Sequence, residues 1–249
     1  MNKNYTSQRG MRELFHSGVP VLTSHQIRSC PWKARIRGLY VSPRVLDRQI
    51  AELKTAGFSF VDLPASFAPD NAQKNVVLTF DDGYSNVLEH AAPLLQRHQA
   101  PAMLYVVAEM IGKTNVWDTV HGEVVGSLMN KEQIREWLDQ GFKIGSHTMT
   151  HPHLPAISRR QAMQEIDGSR KMLEDVFQVP VLSFCYPYGE YTPQIVELVR
   201  QAGYQTAVTL DPGVNHNGQD PFLIMRFGVR RPMNPLKRLS RLIRGKEVD

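Results

Sequence analysis

Short apolar runs suited to buried strands alternate with segments of helical period along almost the whole chain, and this alternation limits the fold more than any other feature. Val19-Pro20-Val21-Leu22 is the first apolar run. After Ser42-Pro43, the residues Leu46, Ile50 and Leu53 share one helical face, with Gly57 as the stop. Val76-Val77-Leu78-Thr79-Phe80 is a buried-strand run, followed by Val87, Ala91, Leu94 and Leu95 at helical spacing, with a break expected at Pro93. Met103 to Val107, Phe142 to Ser146, Val181 to Cys185, Tyr204 to Leu210 and Leu223 to Val229 are further strand candidates. Helices are expected from Glu132 to Gln140, closed by Gly141, and from Ser158, which forms a capping-box pattern with Gln161, to about Phe177. Another begins at Thr192-Pro193 and ends at Gly203. Repeated strand–helix units predict an α/β chain with a mainly parallel sheet, open or closed into a barrel.

The 249 residues, 42% of them hydrophobic, suffice for one large domain of this class. The longest apolar runs, such as Pro101 to Ala108, are far shorter than a bilayer span. The opening MNKNYTSQRGMRELFHSG has no apolar stretch of signal-peptide length, and only two cysteines occur, Cys30 and Cys185. Both features fit a reducing, cytoplasmic setting. The net charge of +5 is unevenly placed: residues 226 to 246 hold eight basic side chains and no acid. The first 225 residues carry 21 basic and 22 acidic groups, so the body of the chain does not have the charge of a nucleic-acid-binding domain.

Three segments place polar residues just past strand ends, where α/β proteins build their active sites. In Thr79-Phe80-Asp81-Asp82-Gly83, two adjacent carboxylates follow an apolar strand and are costly to bury without a cation or strong hydrogen bonds, although Asp-Asp-Gly also suits a solvated turn. Ser146-His147-Thr148-Met149-Thr150-His151 carries two imidazoles four residues apart, which face one point if the backbone makes a helical turn. Two histidines and a carboxylate form a common three-ligand catalytic metal site with positions left open for water. Phe184-Cys185-Tyr186-Pro187-Tyr188-Gly189 reads as an aromatic turn unless the other two segments converge on it.

Taken in order, TFDDG at 79–83, SHTMTH at 146–151 and YPYG at 186–189 resemble the three motifs of the polysaccharide deacetylases of NodB-homology type. The resemblance implies a distorted (β/α) barrel of about seven strands spanning residues 1–235. It implies that Asp82, His147 and His151 hold a divalent metal, zinc above all, with cobalt, nickel or manganese fitting the same donors. It further implies Asp81 as general base and the Tyr188 backbone N–H as an oxyanion donor. The activity implied is removal of the N-acetyl group from an amino sugar in a polysaccharide, oligosaccharide or glycan precursor. Hydrolysis of another carbon–nitrogen amide, or a catalytically inactive carbohydrate-binding relative, would use the same fold.

The chain departs from the family pattern in two places. Many members have arginine where Cys185 stands, and a histidine in a late Leu-x-x-His segment where this chain reads Leu223-Ile224-Met225-Arg226. Arginine cannot donate its proton at useful pH, so Arg226 is expected to take over the missing arginine's place and orient Asp81 or bind substrate. The general acid is left open among His216, His121 and Asp211. His25 resembles a Tyr-His segment near the start of some relatives and is a candidate for lining the site; Trp117-Asp118 offers a stacking face for a sugar ring. Residues 236–249 carry Leu236, Leu239, Leu242 and Ile243 at helical spacing among basic residues. That pattern suits a terminal helix packed on the barrel, or weak peripheral contact with the inner face of a membrane.

Overall fold

A computed structural model of the chain describes Phe15, residues 17–63 and residues 74–228. The basic C-terminal segment and its expected boundary near residue 235 lie outside the described residues. Seven strands form the main sheet: β1 (Val19–Ser24), β2 (Asn75–Phe80), β3 (Met103–Val106), β4 (Lys143–Ser146), β5 (Ser183–Cys185), β6 (Thr206–Val208) and β7 (Phe227–Gly228). From β1 to β6 each strand pairs in parallel with the next. The last segment closes the curl: Ile224 bridges in parallel to Val208 of β6, and β7 pairs in parallel with β1. The closing strand thus touches its two neighbours at different heights, which is the distortion of the barrel. Two-residue strands widen the sheet to nine, Ser59–Phe60 beside β2 and Val214–Asn215 antiparallel to β1.

Helices α1 (Pro43–Thr55), α2 (Ser85–His90), α3 (Ala92–His98), α4 (Val116–Thr119), α5 (Lys131–Asp139), α6 (Arg159–Phe177) and α7 (Pro193–Gln201) fill the connections. Their ends follow local chemistry. The break at Pro93 separates α2 from α3, with the proline in the first turn of α3, where its missing N–H costs nothing. Ser158 and Gln161 cap each other's backbone at the start of α6. Asn130 and Gln133 do the same for α5, and the Thr192 side chain accepts from the Ile195 N–H at the start of α7.

The strands bury both faces, as parallel strands flanked by helices must. One set of side chains, including Leu22, Leu78, Phe80, Leu104, Ile144 and Phe184, packs outward on Leu46, Ile50, Ile134, Trp137, Ile166 and Leu173 of the helices. Each fully buried side chain of this kind stabilises by roughly 1.5–3 kcal/mol. The alternate residues Val19, Val21, Val77, Met103, Tyr105, Cys185, Val208 and Ile224 form a separate inner cluster, the filling of the barrel. Gly145 on β4 belongs to this inner register. A Cβ there would lie 2.5 Å from the Tyr105 ring and 2.8 Å from the Ser183 carbonyl. Its absence leaves room for Tyr105, whose hydroxyl lies 2.8 Å from Ser183 Oγ. Moving towards the C-terminal ends of the strands, the inner positions turn polar: Thr23, Thr79, Asp81 and Arg226.

Candidate metal centre and active site

Asp81 and Asp82 follow β2 directly, His147 follows β4, and all are buried. The structure brings Asp82, His147 and His151 together, with one donor atom from each lying within 4.8 Å of the others. Asp82 Oδ1 stands 3.4 Å from His147 Nε2 and 3.6 Å from His151 Nε2. Two ligands bound tetrahedrally at about 2.1 Å lie about 3.4 Å apart, so this spacing suits donors around a small divalent cation. The Nδ1 of His147 lies 2.8 Å from the Cys185 carbonyl, which can only accept; the proton is therefore on Nδ1, and Nε2 is turned towards Asp82. His151 Nδ1 is buried without a hydrogen-bond partner among the described residues. The donor set and its burial fit a bound divalent cation held through the two Nε2 atoms and Asp82.

The helical turn expected between the two histidines is not what brings them together. Thr148 and His151 both have left-handed backbone, at φ 68° and 65°, and the loop is irregular. Proline at 152 disfavours a right-handed helical residue at 151. The loop is held instead from α6. The Glu165 carboxylate accepts from the backbone N–H groups of Met149 and Thr150, both at 2.9 Å, and from the Thr150 hydroxyl at 2.7 Å. Asp82 and Tyr188 also have positive φ, 72° and 59°. Such residues persist where surrounding structure over-determines them, and four of them surround one cluster here. The Tyr188 ring meets the edge of His151 at 4.6 Å and stacks on His153 at 3.9 Å.

Arg226 lies beneath Asp81, fully buried. Its Nη1 and Nη2 donate to the two carboxylate oxygens of Asp81 at 2.8 Å each, a bidentate pair. Nη1 also reaches Thr23 and Thr79 hydroxyls, Nη2 the Cys185 sulfur at 3.2 Å, and Nε the Thr209 carbonyl. Arg226 therefore reaches Asp81 from the late strand, with Cys185 filling the space beside it. Burial works against the charge on Asp81, but Arg226 outweighs it and holds this carboxyl far below the usual carboxylate range. Asp82 is also lowered, burial opposing and His147 favouring its ionisation. His147 is raised well above the usual imidazole range, burial opposing and Cys185 and Asp82 favouring its charge. Asp82 and His147 thus each favour the other's charged form. His151 is pushed down to about 3, first by burial and then by the charge on His147.

The remaining candidates separate clearly. His25 lines the site, with Nε2 3.8 Å from Asp81 Oδ2 and its side chain partly exposed. His216 packs beside Gly18, at the N-terminal end of β1, and so lies at the opposite end of the barrel from the site. His121 is exposed, as is Asp211, whose carboxylate accepts from the Tyr191 hydroxyl. Trp117 is not an open platform for a sugar: it is buried, with one face stacked on His151 at 4.6 Å. Its neighbour Asp118 is buried too, accepting from the Tyr84 hydroxyl and Asn115, and is raised by burial and by the charge of Asp82. Sequence reasoning singled out Asp118 only as part of a stacking face with Trp117, and it missed Glu165 altogether.

A family model described as polysaccharide deacetylase matches residues 68–207. The YxkH protein of Bacillus subtilis (strain 168) is 28% identical over 163 residues, which are 66% of this chain and 54% of that protein, so the chain spans about half of that relative's length. A poly-β-1,6-N-acetyl-D-glucosamine N-deacetylase of Staphylococcus aureus is 22% identical over 202 residues, 76% of this chain and 67% of the relative. The solved structure of IcaB from Ammonifex degensii superposes with a TM-score of 0.72 at 24% identity, covering 88% of this chain and 93% of that one.

Proposed function

Since this chain belongs to the polysaccharide deacetylase family, we propose that it hydrolyses the N-acetyl group of an amino sugar within a glycan, releasing acetate and leaving a free amine. The observation that carries this reading is the pairing at one barrel mouth of an ionised, arginine-held carboxylate, Asp81, with the three converging donors of Asp82, His147 and His151. Relatives named for removing acetyl groups from N-acetylglucosamine polymers support the substrate class.

Asp82, His147 and His151 would hold the cation, and a His-His-carboxylate set favours zinc. A divalent ion there supplies Lewis acidity and lowers the pKa of water from about 15.7 towards ~7. Asp81 accepts the proton of the attacking water, its carboxylate aimed by Arg226. The amide carbonyl develops negative charge as it is attacked, and the Tyr188 backbone N–H donates to it. The amine must leave neutral, so it needs a proton. We infer that His25, partly exposed with Nε2 3.8 Å from Asp81 Oδ2, supplies it in the absence of a late histidine.

The test couples two readouts. Purified protein is expected to carry about one zinc per chain by elemental analysis, and to release acetate and free amine from N-acetylglucosamine oligomers. Chelation should remove both, and zinc should restore both. Metal binding without acetate release from any N-acetylated sugar would refute the deacetylase reading while leaving the donor set standing. A second expectation concerns the loop clamp. Glu165→Gln keeps the shape but loses the charge that two N–H groups and a hydroxyl share, and should weaken zinc affinity by about 10–100-fold. Competition with a chromophoric chelator reads this directly, and unchanged affinity would show that the loop holds itself.

A further inference from the structure

Two loops at the C-terminal ends of β1 and β3 build one side of the rim around the site. The first runs through residues 28–39 and the second through 111–130. They are bound into one piece by Glu123, whose buried carboxylate accepts from the N–H groups of Arg35, Ile36 and Val124 and from the Tyr40 hydroxyl. Arg35 adds a bond to the His121 carbonyl. The outward surface of this rigid piece is unusual. Trp32 is 83% exposed, Val120 77%, Val125 59%, and Val116 and Ile36 more than two-fifths. From Arg28 to Val41 the sequence carries four basic residues and no acid, and Lys33, Arg35 and Arg37 are exposed. Both acids of the second loop, Asp118 and Glu123, are buried.

We propose that this rim docks on an anionic lipid surface, with Trp32, Ile36, Val120 and Val125 entering the boundary of headgroups and acyl chains and the basic side chains meeting the phosphates. Branched aliphatic tips decide against a sugar subsite. A pyranose stacks on an aromatic face and satisfies its hydroxyls on polar side chains, and valine offers neither. Apolar tips ringed by cations without exposed acids match the two attractions that hold peripheral proteins to anionic bilayers. Tryptophan favours the same interface, where one end is apolar and the other wet. No helix among the described residues is long and apolar enough to cross a membrane, so the contact is by loops lying on the surface. The metal centre opens on the same end of the barrel, so docking would present the site to glycan held at the lipid surface. The docking itself does not depend on the chemistry assigned to the site.

The test uses the full chain and vesicles of phosphatidylcholine with or without phosphatidylglycerol. Trp117 and Trp137 are buried, so a blue shift of the exposed tryptophan emission reports Trp32. Wild-type protein is expected to sediment with the anionic vesicles, to shift its emission, and to be released as salt rises. The variant Trp32→Ser/Ile36→Ser/Val120→Ser/Val125→Ser changes only exposed side chains and leaves the basic C-terminal segment intact. Its partition onto anionic vesicles should fall by about tenfold or more, with acetate release from a soluble oligomer unchanged. Equal binding by variant and wild type, or no binding by either, overturns the proposal. So does a variant that binds vesicles normally but shows a raised KM on soluble oligomers, which would make the rim a sugar platform. Loss of a wild-type dimer in the variant, without a change in vesicle binding, would make it an interface between two copies and would overturn it equally.

Discussion

Replacing Arg226 by methionine is expected to cost about 3–5 kcal/mol of stability, because it strips the partner from a carboxylate that is fully buried. Methionine keeps much of the volume, so the loss comes from the charge left on Asp81 and from the hydroxyls of Thr23 and Thr79, which lose a donor. A chemical denaturation curve measures the effect. Adding Asp81→Asn to the same chain removes the stranded charge and should recover part of the loss, and a full double-mutant cycle apportions the pair. The pH dependence has a definite sign. Asp81 is lowered in the folded protein, so the pair's contribution is fully present above the unfolded carboxyl value of ~4 and is lost as pH falls through the folded one. In Arg226→Met the carboxyl loses its main support, so the acid limb of the rate profile should move to higher pH. The Cys185 sulfur sits 3.2 Å from Arg226 Nη2, and an arginine placed at 185 would reach the same carboxylate. Cys185→Arg in the Arg226→Met background is therefore expected to restore activity in part. Failure of that rescue, with the fold intact, would show that Asp81 needs the guanidinium in its present plane.

The strand ends of the site were legible because each chemical motif directly follows an apolar run, and a parallel strand delivers its last residue to the same end of the sheet as its neighbours. Asp81, Asp82 and His147 stood out by that logic and took their roles from the family resemblance, and Arg226 stood out because it occupies the place of the histidine in the late Leu-x-x-His segment. The strand boundaries were less legible. Tyr204 to Leu210 is apolar throughout much of its length, but only Thr206–Val208 pairs as a strand, since pairing length is set by neighbouring β5. Glu165 was invisible for another reason. It occupies an ordinary position in an amphipathic helix, and its role appears only when α6 is laid beside a loop some fifteen residues earlier. Glu123 reads as a loop acid until residues 35, 36 and 40 close over it. The left-handed residues at 82, 148, 151 and 188 carry no side-chain signature, apart from the proline that follows His151. What the sequence hides are contacts between loops, which no period or propensity encodes.

Asp81→Asn should lower acetate release by about 10²–10⁴-fold, the usual worth of a positioned general base, while leaving about one zinc bound. The substitution is nearly isosteric, and the three donors proposed for the metal, Asp82, His147 and His151, belong to other side chains, so metal content separates loss of the base from loss of the site. A stability cost accompanies it, since Arg226 then faces an amide instead of an anion, and activity must be compared at a temperature where both proteins are folded. His147→Ala makes the contrasting case: it removes a donor and should abolish zinc binding and activity together. The comparison bears on a tension within the site. A bidentate guanidinium makes Asp81 a weak base, because it stabilises the ionised form far below neutral pH. It also guarantees that the carboxylate is ionised and aimed at every working pH. Such a base serves only if the water it deprotonates is already acidified, so the reading requires the cation and Asp81 to act as one unit. If Asp81→Asn retained substantial activity with zinc bound, the proton would be leaving by another group, and His25, on the open side of the same carboxylate, would be the residue to replace next.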